Sequence, residues 1–228
     1  MTSDFRLIDV SHTVHHGMTT YKGLPPPVIS DHLTREASRE RYAPGTEFQI
    51  GTIEMVANTG TYIDSPFHRY AEGADLSELK LESLANLDGI VVRRVNAAER
   101  GISAAALADL DLKDKAVLFH TGWDTRWRTE EYSDGGHPFL TADAADYLAR
   151  SGAALVGIDS FNIDATADGT RPVHSILLAK DIPVVEHLCG LGDLPDRDFR
   201  FFAVPVKVKG MGTFPVRAFA IVPVAASA

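Results

Sequence analysis

Residues 58–68 read Asn-Thr-Gly-Thr-Tyr-Ile-Asp-Ser-Pro-Phe-His and gather an amide, a phenol, a carboxylate and an imidazole around one glycine. Hydrophobic patterning explains none of these positions. A carboxylate such as Asp64 can bind a cation, and an imidazole such as His68 can accept and return a proton near neutral pH. The amide of Asn58 and the phenol of Tyr62 can donate hydrogen bonds. Pro66 suits the first turn of a helix, so Ser65 is the expected N-cap of a short helix that begins at Pro66 and carries His68 in its first turn. Asp64 then lies just outside that helix, at the end of an extended segment. An Asx-type turn that leaves His68 as an ordinary surface residue fits the same letters.

A second set of usable side chains lies far downstream. His174 opens an expected short helix over residues 174–179, and Glu186 ends an expected strand over residues 182–186. A helix of about seven residues travels roughly 10 Å and a strand of about five returns roughly 16 Å, so His174 and Glu186 can face one point. With Asp64 they offer one imidazole and two carboxylates, a suitable set for a catalytic divalent ion with open positions. A structural bridge from Glu186 to Arg171 or His187 is the alternative. His12, His15 and His16 form a further cluster, and polar residues follow two expected strands, at 120–124 and 159–164.

These groups need a scaffold. Residues 5–10, 89–95, 116–119 and 153–158 read as strands, and 103–110 and 141–150 as helices. Residues 76–87 have apolar positions at roughly helical spacing, with Asp75 as a cap. Residues 46–57 alternate, with a change of phase at Gly51-Thr52 that predicts a bend in a strand leading into the 58–68 segment. Residues 201–208 and 216–224 are β-rich. Strands alternating with helices predict an α/β domain. No linker divides the 228 residues, so one domain over 1–228 is expected. A formal charge of −9 argues against nucleic acid as a partner. The chain has no apolar leader and no run long enough to span a membrane, and its single cysteine, Cys189, allows no internal disulfide, so a cytoplasmic protein is expected.

Together the two chemical segments resemble the cyclase-like amidohydrolases, the family of bacterial kynurenine formamidase and isatin hydrolase. That family's motif reads His-x-Gly-Thr-His-x-Asp-x-Pro-x-His. Gly60, Thr61, Asp64, Pro66 and His68 match it, and Asn58 and Tyr62 stand where it has its first two histidines. His174 and Glu186 correspond to its later histidine and glutamate, and Asp9 with Ser11, Gly157-Ile158-Asp159, and Val204-Pro205 with Lys207 are further landmarks. The resemblance implies a swivelling β/β/α fold, a mixed sheet with flanking helices, assembled as a homodimer or homotetramer. It also implies a hydrolase of a C–N or C–O bond in a small cyclic amide, lactone or N-acyl compound. The prolines after Tyr21 are the expected subunit contact.

In two-metal relatives the first two motif histidines help hold one ion, the aspartate lies between the ions, and the later histidine and glutamate hold the other. With Asn58 and Tyr62 in place, one divalent ion, Zn²⁺ or Mn²⁺, held by Asp64, His174 and Glu186 is implied. His68 would be general base and then acid. Tyr62 or Asn58 would donate to the oxyanion. The replaced pair keeps two other readings open: a metal-free isomerase or dehydratase that uses His68 with Tyr62, and a non-catalytic small-molecule binding protein.

Overall fold

The computed structural model describes residues 5–19 and 21–224. Among these the strands are β1 (Phe5–Asp9), β2 (Val28–Leu33), β3 (Ile50–Glu54), β4 (Tyr62–Asp64), β5 (Leu87–Arg93), β6 (Gly101–Ile102), β7 (Lys115–His120), β8 (Phe139–Leu140), β9 (Leu155–Ile158), β10 (Val184–Glu186), β11 (Arg200–Phe202), β12 (Thr213–Pro215) and β13 (Phe219–Pro223). The helices are α1 (Arg35–Ser38), α2 (Ala142–Arg150) and α3 (Pro172–Leu178). Nine strands form one mixed sheet in the order β1-β13-β11-β5-β7-β9-β10-β4-β12. Its centre, β5-β7-β9-β10, is parallel, and antiparallel strands extend it on both sides.

Burial on both faces explains the nearly unbroken apolar runs of the central strands. Ile90, Val92, Val117, Phe119, Val156 and Ile158 pack with Ala144, Ala145 and Leu148 of α2 and Val173, Leu177 and Leu178 of α3. The alternate residues Val91, Leu118, Leu155 and Val185 pack with Phe201, Ala218 and Ala220 in a second core where the sheet curls over itself. Each fully buried Val, Leu or Ile contributes about 1.5–3 kcal/mol, so a charge at any of these positions would be severely destabilising. The fold is the α/β arrangement of mixed sheet and flanking helices that the resemblance implied.

The expected helix over 103–110 is only a 3-10 turn, Ala104–Leu107, and the β-rich run 201–208 is a strand only as far as Phe202. Two further expectations give way to tertiary contacts. Residues 76–87 form only a 3-10 turn, Leu81–Ser83, and not a helix. The Asp75 carboxylate that could cap a helix instead accepts from the backbone N–H groups of Ser77 at 2.8 Å and Gly210 at 2.6 Å. Leu76 and Leu84 still reach the core, so their spacing reflects burial without helix. The alternating segment 46–57 contributes only β3, which pairs with β2 alone, and every residue of β3 is exposed. The irregularity expected at Gly51-Thr52 lies in the partner strand, between Asp31 and Leu33. No helix among the described residues is long and apolar enough to cross a membrane.

Candidate active site

Three short strands set the site by register alone. β4 lies between β10 and β12, which places Tyr62 opposite Glu186, and Thr213 opposite Asp64. Residues two apart on a strand share a face, so Tyr62 and Asp64 project together, and directly opposed side chains touch. The Tyr62 hydroxyl accordingly donates to Glu186 Oε2 at 2.6 Å, and the Thr213 hydroxyl donates to Asp64 Oδ1. The chain then turns at Ser65 into one 3-10 turn, Pro66–His68, in which Ser65 makes no side-chain cap. This turn is clamped from behind. Ser65 N–H donates to the Gly212 carbonyl at 2.7 Å, and a Cβ on Gly212 would stand 2.4 Å from the His68 nitrogen. Only glycine allows that approach.

Proton bookkeeping fixes the form of His68. The only hydroxyl proton of Thr213 goes to Asp64 Oδ1, and His68 Nδ1 stands 2.8 Å from the same hydroxyl oxygen. Burial would raise the Asp64 pKa, but the hydrogen bond and charge of His174, the His68 imidazole and Thr213 lower it overall, so Asp64 is a carboxylate that can only accept. His68 Nδ1 must therefore donate to Thr213, which in the neutral imidazole leaves Nε2 as the lone-pair nitrogen. Thr213 was not foreseen, because its role arises only from the pairing of β12 with β4.

His174 is oriented in the same way. It lies on the buried face of α3, and its Nδ1 donates at 2.6 Å to Asp164, which also accepts from the backbone N–H groups of Val173 and His174. That arrangement turns Nε2 toward Asp64 Oδ2 at 3.5 Å and Glu186 Oε1 at 3.7 Å. Burial alone would depress the imidazole pKa, but Glu186, Asp164 and Asp64 outweigh it and raise it to about 10. Burial raises Glu186 to about 7, against the opposing charge of His174 and with the repulsion of Asp64 added. Glu186 also accepts from the backbone N–H of Ile163 at 2.6 Å. Sequence reasoning noted the polar run at 159–164 but gave Asp164 no partner.

Asn58, Tyr62, His68, His174 and Glu186 line one cavity of about 350 Å³. Asn58 is half-buried there and makes no side-chain hydrogen bond to a described residue, so its amide is available to a ligand. Tyr62 is not available in that way. It is 1% exposed, burial and the Glu186 charge hold its pKa well above the usual phenol value, and its one proton is already donated to Glu186. Its place is therefore to position Glu186. The expected bridges from Glu186 to Arg171 or His187 do not form; the groups around its carboxylate are Tyr62, Ile163, Asn162 and His174.

His12, His15, His16 and His187 are not among the residues that line this cavity. His12 stacks on Trp127 with ring centroids 3.9 Å apart, and His15 and His16 are exposed. His187 is fully buried with Tyr62, Trp127, Tyr132 and Phe161 at centroid distances of 5.1–5.8 Å. Burial lowers its pKa to about 3. The unfolded chain titrates at about 6.5, so between these values the unfolded state binds more protons and the His187 contribution to stability is lost as pH falls. Glu186 and Asp159, both raised to about 7, act in the opposite direction, so the effect must be isolated by substitution. His187→Asn tolerates the left-handed backbone at this position, where φ is 56°. It is expected to destabilise the protein more at pH 7.5 than at pH 5 in denaturant titrations; an equal or larger loss at pH 5 contradicts this.

The donor set fits a divalent ion. Asp64 Oδ2 is buried without a short hydrogen-bond partner, its contact with His174 Nε2 being long at 3.5 Å. Asp64, His68 and His174 each offer a donor atom within 4.8 Å of the others; Glu186, expected from the sequence to be the third ligand, is not in that group, although its Oε1 lies 3.7 Å from His174 Nε2. Among known proteins, the Cyclase family model matches residues 8–165. The kynurenine formamidase of Erythrobacter litoralis is 27% identical over 206 residues, covering 90% of this chain and 89% of that protein. An isatin hydrolase solved with the product analogue thioisatinate superposes with a TM-score of 0.82 at 21% identity, covering 98% of this chain and 94% of that one. A structure described as a potential metal-dependent hydrolase with cyclase activity gives a TM-score of 0.75 at 26% identity, over 95% and 98% of the two chains. With the family model covering more than half of the sequence and the Asp64–His68 turn inside the matched stretch, the chain belongs to the cyclase family and is an enzyme of amidohydrolase type.

Proposed function

We propose that this chain hydrolyses a C–N bond in a small N-acyl or cyclic amide, with a C–O bond in a lactone as the related case. His68 is the proton carrier, and one divalent ion, Zn²⁺ or Mn²⁺, is held by Asp64, His174 and Glu186. The observation that carries this reading is the chain from His68 through Thr213 to Asp64, which leaves His68 Nε2 as a base at the cavity wall. The ion, when bound, polarises a carbonyl or brings the pKa of a water toward neutrality. The residues do the rest. His68 Nε2 takes a proton from the attacking water and returns it to the leaving nitrogen or oxygen, while Asn58 donates to the oxygen that gains charge. Asp164 accepts from His174 Nδ1 and so aims Nε2 at Asp64 and Glu186, where it would hold the ion once deprotonated, and Tyr62 holds Glu186 in place.

The kynurenine formamidase and isatin hydrolase relatives support an amide or lactam substrate. The metal-free pairing of His68 with Tyr62 loses support because the Tyr62 proton is spent on Glu186. Formanilide, an isatin-like lactam and an aryl lactone, each assayed with Zn²⁺ or Mn²⁺ and then with chelator, test the reading. Metal-dependent turnover of an amide is expected; no hydrolysis across the panel, with the compounds still bound, would favour a binding protein.

The reading extends to a cytoplasmic homodimer or homotetramer in which residues 1–228 act as one domain. A two-stranded ribbon is marginal by itself, and the β2–β3 arm exposes Val28, Ile29, Ile50 and Ile53 by 42–49%. A second copy packed on this arm and the adjoining residues 21–27 would cover them.

A further inference from the structure

Two guanidinium groups stand at the cavity without a carboxylate to neutralise them. Arg69 and Arg171 line the same cavity as Asn58, His68 and His174. Among the described residues the ion pairs of arginine and lysine all lie elsewhere. Arg69 is held in direction by contacts that leave most of its donors unused: Nε donates to Ser175 Oγ at 3.2 Å, and the guanidinium lies 5.2 Å from the ring centroid of Tyr70. Tyr70 is itself anchored by donating to the Ser175 carbonyl at 2.8 Å. Arg171 makes only a long contact, from Nη1 to the Ala165 carbonyl at 3.4 Å.

The backbone at Arg171 points the same way. Its φ of 48° and ψ of 59° are left-handed, a conformation that glycine or asparagine adopts more easily than a long side chain. The Asp168–Thr170 turn lies just before it and Pro172 just after it. An arginine is thus kept where a smaller residue would cost less. Below it the site is rich in carboxylates, with Asp64, Asp164 and Glu186 all buried, in a chain of formal charge −9. An anionic ligand would be repelled by that field unless cations stood at the entrance.

We infer that Arg69 and Arg171 form a two-point anion clamp that selects substrates carrying a carboxylate beside the scissile amide. Planar guanidiniums pair with a carboxylate through two parallel hydrogen bonds, which fixes orientation as well as charge. The choice of an amide rests on the proposed hydrolase reading, whereas the clamp itself rests on the arginines.

The test compares 2-formamidobenzoate with formanilide as substrates, and benzoate with benzamide as calorimetric ligands, for the wild type, Arg69→Gln, Arg171→Gln and the double variant. The wild type is expected to favour the carboxylate member of each pair. The ratio of kcat/KM for the anionic over the neutral substrate should fall by about tenfold in each single variant and by up to about a hundredfold in the double one, with benzoate affinity falling in parallel. Arg171→Lys should recover only part of the ratio, because it restores the charge without the fork. A wild type that takes both members equally, or variants that slow both substrates by one factor, would overturn the clamp. If no amide is hydrolysed but benzoate binding still depends on both arginines, the clamp stands and the hydrolase reading falls. Benzoate binding that ignores both substitutions sinks the clamp whatever the activity.

Discussion

Replacing His68 by Ala is expected to lower kcat by about a hundred- to ten-thousandfold, the usual contribution of a positioned general acid–base group. The size follows from how completely the neighbours commit this imidazole to one task. Asp64 takes the Thr213 proton, Thr213 takes the Nδ1 proton, and Nε2 is left as the only nitrogen that can accept. The fold should tolerate the change, because the His68 side chain is 37% exposed and packs in no core cluster. Thr213 can go on donating to Asp64, so the carboxylate stays where it is. Activity within a few-fold of wild type would mean that another group or a water carries the proton.

Glu186→Gln is expected to weaken metal retention by well over tenfold, more than typical changes behind the ligands achieve. Glutamine keeps the shape, and the local hydrogen bonds can be rebuilt: its carbonyl oxygen can accept from Ile163 N–H, and its amide can donate to the Tyr62 hydroxyl. What disappears is a charge facing His174 Nε2. A buried cationic site that loses one of its carboxylates loses affinity without losing its structure. Unchanged metal content in this variant would return Glu186 to a purely structural role beside Tyr62.

What could be read from the sequence depended on whether a residue's chemistry or its register carried the role. Asp64, His68, His174 and Glu186 stand out as ionisable types in otherwise apolar or turn-rich stretches, and α3 followed by β10 brings the last two within 3.7 Å at their polar atoms. Thr213 sits on a strand of three residues between Gly212 and Val216, with nothing in those letters to mark it; it matters because β12 pairs with β4 at Asp64. Tyr62 looks like a free proton donor until the same strand shows it opposite Glu186. Arg171 gave no sign of its left-handed backbone. Residues 76–87 have helical spacing, but the backbone at Gly210 captures the Asp75 carboxylate that would have begun the helix. The alternation around β3 reads as a half-buried strand although both of its faces are exposed.

The most direct test of the central claim is elemental analysis of protein prepared without chelator, with the wild type measured beside the two variants above. If Asp64, His174 and Glu186 hold the ion and His68 moves the proton, the wild type and His68→Ala carry about one divalent ion per chain and Glu186→Gln carries much less. Two tightly held ions in the wild type, or an ion lost from His68→Ala and kept by Glu186→Gln, would contradict the account.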